Sequence, residues 1–175
     1  YSNRRIMSNY VFGKDKLKYY EDVPSKCYAN IVKELKALLK KYNVTTLAAY
    51  NCNFDIEAIE TTNKYIGTNF LLNDYEIYDI YAMACAMLTH DESYIEFCEK
   101  NGKVSAKGNI LSNAETVYSY LRQNAEFIEN HTALEDAEIE AYILDWVLAE
   151  EQNRNITISR APNPMAWRLV QRRKK

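Results

Sequence analysis

Glycine and proline are scarce in this 175-residue chain, which has four of the first and three of the second. So few hinges and breaks argue against a loop-rich protein or a string of linked modules, and the length suits a single domain. Cysteine is confined to Cys27, Cys52, Cys85 and Cys98, and histidine to His90 and His131. No two cysteines form a Cys-x-x-Cys pair, and none has zinc-type spacing to a histidine, so free thiols in a reducing compartment are expected. No apolar run reaches membrane-spanning length, and no signal segment is expected. The expectation is a cytoplasmic protein with no membrane partner. Charge of one sign is not in excess either. The formal net charge is −2, yet residues 168–175 carry five cations and no acid, which leaves an acidic body with a basic tail. That is not the footprint of a protein that coats duplex DNA. It suits an enzyme whose acidic centre holds cations and whose contact with nucleic acid is brief; the tail itself reads as solvated.

Apolar residues are plentiful at 47%, enough for a full core, and fifteen tyrosines add apolar area with a polar tip, useful on half-exposed surfaces and base-stacking faces. A helix is predicted from about Tyr28, with Ile31, Leu35, Leu38 and Tyr42 on one stripe and Leu39 beside them. Val44 to Tyr50 is β-branched and small, bounded by asparagines, and reads as a buried strand. A helix from about Phe54 to Tyr65 follows, with Gly67 at its end. Glu76 to Tyr78 reads as a short strand and Asp79 as the N-cap of a helix over Ile80 to Leu88. Further helices are predicted over Ser93–Lys100, over Ala114 to about Arg122, and from Thr132 to near Glu151. The last has the stripe Leu134, Ala137, Ala141, Leu144 and Leu148. Alternation of this kind implies an α/β protein, a sheet with helices packed on it.

Two segments carry chemistry. Strand 44–50 runs into Asn51, Phe54 and Asp55, and ligands bind at the carboxyl ends of strands in such sheets. Asp55 equally suits the favourable start of a helix, and Phe54 reads most simply as core. The second segment is His131 to Asp136. Thr132 and Glu135 form a capping box, which leaves His131 on the incoming loop and Asp136 in the first turn, where the helix dipole favours a carboxylate. Imidazole beside a fixed carboxylate suits a site that holds a cation and activates water.

Together the two segments resemble the DnaQ-like (DEDDh) exonucleases, a branch of the ribonuclease H-like superfold, and within it compact proteins of phages and their hosts. Ala49-Tyr50-Asn51-Cys52-Asn53-Phe54-Asp55 is similar to the family's second motif, and His131-Thr132-Ala133-Leu134-Glu135-Asp136-Ala137 to its third. Tyr78-Asp79-Ile80 is similar to a stretch these proteins carry between them. The resemblance implies a ribonuclease H-like mixed sheet with packed helices, and a metal-dependent 3′–5′ exonuclease acting on 3′ ends of single-stranded DNA or RNA. It implies two Mg²⁺ or Mn²⁺ ions, with Asp136 ligating the first and Asp55 holding the second through water. His131 would act as general base, and Asn51 and Phe54 would contact substrate. The family's first motif, Asp-x-Glu ending the first strand, has no counterpart before residue 43. Asp74-Tyr75-Glu76 has its letters but reads as a loop. The expectation is a truncated form whose first strands and first motif lie upstream. Residues 1–27 would be a remnant, 28–152 the exonuclease-like domain and 153–175 an extension with the basic tail. A non-catalytic nucleic-acid-binding or interaction module on the same scaffold is the alternative.

Overall fold

A computed structural model describes residues 26–70, 72–130 and 132–172. His131, Arg173 to Lys175 and nearly all of the expected 1–27 remnant lie outside the described residues. The chain divides into two units, residues 1–40 and 41–175. In the first, helix α1 (Tyr28–Lys41) buries Val32 and Leu39. The expected stripe is not the buried one, since Ile31, Leu35, Leu38 and Tyr42 are all exposed.

The second unit is α/β. Its described sheet has two strands, β1 (Thr46–Ala49) and β2 (Glu76–Asp79), paired in parallel with Ala49 opposite Asp79. These two strands pair in parallel, and β1 is half-buried where a buried strand was expected. Between the strands runs α2 (Asn53–Ile66), closed by Gly67 in the left-handed conformation that glycine adopts without a Cβ penalty. Beyond β2 come α3 (Ile80–Met87), α4 (Glu92–Lys100), α5 (Ala114–Leu121) and α6 (Ala133–Arg154).

Helix α3 is apolar on every side, and such a helix has to lie inside. Ile80, Met83, Ala84 and Cys85 are at most 2% exposed, and α3 packs against α6 and a 3-10 turn at 166–168. From α6 the core receives Ile139, Ile143 and Val147. That row lies one step round from the expected stripe, of which Leu134 is exposed while Leu144 and Leu148 are half-buried at the core's margin. The segment beyond α6 belongs to this unit: Ala166 and Val170 are fully enclosed. Gln171 exchanges hydrogen bonds with the Ile110 backbone, and Arg172 pairs with Glu92 and Glu99. The expected solvated tail is thus fastened as far as Arg172. Among the described residues no helix is long and apolar enough to cross a membrane.

Candidate functional site

The parallel pairing delivers both strand ends to one edge. After Ala49 the chain turns through Tyr50 and Asn51, and Asn51 adopts a φ of 62°, a left-handed conformation that asparagine tolerates better than most residues. Two carboxylates hold this turn. The Tyr50 N–H donates to Glu140 Oε2 on α6 at 3.1 Å, and the Asn51 N–H donates to Asp79 Oδ1 at 3.3 Å. Asp79 Oδ1 also accepts the Ala82 N–H at 3.1 Å, as the N-cap of α3. Burial raises the Asp79 carboxyl above its ordinary value, against the pull of these donors.

Asp55 sits in the first turn of α2. Desolvation lifts its carboxyl although much of the side chain is exposed. Phe54 is 68% exposed, which overturns its simplest reading as core: α2 buries no residue fully, and Phe54 stands on its outer side. Asp136 lies in the first turn of α6, and its Oδ1 is buried with no hydrogen-bond partner among the described residues. Glu140 stands one turn further along α6, on the same face. Burial raises the Glu140 carboxyl, and the charges of Asp55 and Asp136 raise it further. Glu140 thus feels the charge of one acid from each motif segment, as lesser causes beside its burial. Motif matching missed Glu140; its i, i+4 step from Asp136 is the signal that points to it.

The loop before α6 is tied down. The Glu129 N–H donates to Glu115 Oε2 at 3.1 Å, and the Asn130 N–H donates to Glu135 Oε2 at 2.7 Å. The capping box is one-sided as a result: Thr132 accepts the Glu135 N–H at 3.3 Å, while the Glu135 carboxylate holds Asn130. The backbone leading to His131 is fixed in this way; His131 itself lies outside the described residues.

Burial pushes Glu129 up to about 7, helped by a hydrogen bond with Asp136 and by the charges of Asp136, Glu115 and Glu135. In the unfolded chain its ordinary value is 4.5. Below that, both states hold the proton and pH has no effect. Between the two values only the folded state holds it, so stability falls as pH rises, and the loss is complete above about 7. Raising pH from 6 to 8 is expected to cost about 1 kcal/mol. Urea denaturation at the two values checks this, and Glu129→Gln should remove most of the difference.

A cavity of about 550 Å³ opens at the same sheet edge, lined by Tyr50, Asn51, Tyr81, Ser112, Asn113 and Pro164. The Tyr50 and Tyr81 rings lie 5.6 Å apart, and the Tyr50 hydroxyl donates to the Ser112 carbonyl at 2.6 Å. Asp74 and Glu76 stand at the opposite, N-terminal end of β2, so they supply nothing here. All four thiols are free. Burial pushes Cys52 and Cys98 up to about 11 and Cys85 to about 12, and thiols so held are poor nucleophiles.

In kind, the donors fit Mg²⁺ or Mn²⁺: they are hard carboxylate oxygens, one of them orphaned. Such ions are often held by one or two carboxylates, with water and substrate phosphate completing the shell. Among the described residues, no group of three or more His, Cys, Asp or Glu side chains is arranged to hold a metal ion. Compared with known proteins, the chain matches no family model, no curated protein and no solved structure.

Proposed function

We propose that this chain is a metal-dependent 3′–5′ exonuclease on a ribonuclease H-like scaffold, hydrolysing phosphodiester bonds at the 3′ end of single-stranded DNA or RNA. The observation that carries the reading is the Tyr50 N–H bond to Glu140, which joins the strand end running into Asp55 to the helix that carries Asp136, at the strand edge where open α/β sheets hold ligands. Asp136 would hold Mg²⁺ or Mn²⁺ through its orphaned oxygen, and Asp55 a second ion through water. Bound there, the ions would supply charge stabilisation to the phosphoryl oxygens. The chain's own groups do the rest. His131 takes the proton of the attacking water, from a loop whose preceding amides are held by Glu115 and Glu135. Asn51 and the exposed Phe54 ring flank the edge and bear on the terminal nucleotide, the ring by stacking.

The test is incubation of the chain with a 5′-labelled single-stranded oligonucleotide and Mg²⁺. Stepwise shortening from the 3′ end that stops on chelation is expected. An intact oligonucleotide, together with no Mn²⁺ uptake by calorimetry, overturns the reading. A non-catalytic nucleic-acid-binding module is the second reading. It is favoured by the position of Asp74 and Glu76 at the wrong end of β2, and it predicts binding of the oligonucleotide without shortening.

A further inference from the structure

We infer that Glu140 is a positioning residue, whose bond to the Tyr50 amide locks the strand end carrying Asn51 and Asp55 onto the helix carrying Asp136. This role rests on the exonuclease reading and adds a residue to it.

The geometry is specific. Asp55 comes five residues after Tyr50, beyond the left-handed Asn51, and a turn of that kind is readily displaced unless its amides are engaged. Asn51 is tied to Asp79, but Asp79 stands on the neighbouring strand of the same sheet. That bond fixes the turn to the sheet and reaches α6 only indirectly, through the helix α3 that Asp79 caps. The Tyr50 to Glu140 bond links the turn to α6 directly. Glu140 shares a helix face with Asp136, so the link spans the two segments whose carboxylates must act together. Its Oε2 is already occupied by the amide, which suits a strut better than a ligand.

A strut and a charge are separable by two conservative changes. Glu140→Gln keeps an acceptor within reach of the Tyr50 N–H and removes the charge. Glu140→Asp keeps the charge and falls one methylene short. Both are measured in the whole chain, by amide hydrogen exchange at Tyr50 and by calorimetric Mn²⁺ titration. Positioning predicts exchange at Tyr50 about two- to tenfold faster in Glu140→Asp and near wild type in Glu140→Gln. It also predicts Mn²⁺ affinity lower by on the order of tenfold or more in Glu140→Asp, with Glu140→Gln the less affected. The reverse order, or equal affinity in all three proteins, overturns the role while leaving the exonuclease reading in place. A wild-type chain that takes up no Mn²⁺ overturns both.

Discussion

Replacing Asp136 by Asn is expected to lower Mg²⁺-dependent shortening of a single-stranded oligonucleotide by about 10²- to 10³-fold, with the fold retained. That is the size of loss seen when one preorganised stabiliser of developing charge is removed from an active site. The carboxylate is the one acid at this edge with a buried oxygen that nothing among the described residues engages. Asparagine matches its shape but brings no charge. The stability cost is small and partly offset. A first-turn carboxylate contributes about 0.3–1 kcal/mol through the helix dipole, while Glu129, raised in part by the charge of Asp136, is relieved of a like charge. Single-turnover digestion with circular-dichroism melting alongside checks both halves. Undiminished hydrolysis in Asp136→Asn removes this residue from the site. His131→Gln should fall by a comparable factor, since a positioned general base contributes about 10²- to 10⁴-fold.

The largest loss of stability is expected from Arg160→Met. The Arg160 guanidinium grips Glu151 with two hydrogen bonds of 2.6 Å, donates to the Ile158 carbonyl at 2.8 Å and lies over the Tyr78 ring. The Glu151 side chain is only 8% exposed, and Arg160 holds its carboxyl below the ordinary value. Removing one partner of a buried pair leaves the other charge uncompensated, at a cost of about 3–5 kcal/mol. Arg160 keeps 27% of its side-chain surface in water, which points to the lower end. A lowered carboxyl contributes stability above its unfolded value of 4.5 that is lost as pH falls through the folded one, so the deficit should shrink in acid. Urea denaturation measures it, and the double variant with Glu151→Leu should recover much of the loss. A shift below about 0.5 kcal/mol would show the pair to be solvated. Beyond stability, the Arg160 carbonyl accepts the Asp79 N–H at 3.0 Å, so this clamp braces the strand end that holds Asn51.

Local signals in this chain are readable because each has one physical cause. Thr132 caps α6, Asp79 caps α3 and Gly67 closes α2, all as the residue types dictate. Which face turns inward is harder to read. Helix α6 has apolar residues on more than one side, so spacing alone favours the Leu134 stripe, whereas packing chooses the β-branched row Ile139, Ile143 and Val147. The same ambiguity misleads for α1. Phe54 reads as core because aromatic residues usually are, yet α2 buries nothing fully. Glu140 and Arg160 belong to no motif. Their roles arise from backbone groups that only the folded chain brings near, the Tyr50 amide for one and the Asp79 amide for the other.

The enclosure of Ala166 and Val170 among α3, α4 and α6 bears on how this protein is made. Helices synthesised early, with Met83, Tyr94 and Ile95 at their centre, keep an open seam until residues 166–170 have cleared the ribosome. Completion of the interior therefore waits on a segment made after every helix it seals, and the interval before it is when sticky surface is on show and chaperone help matters most.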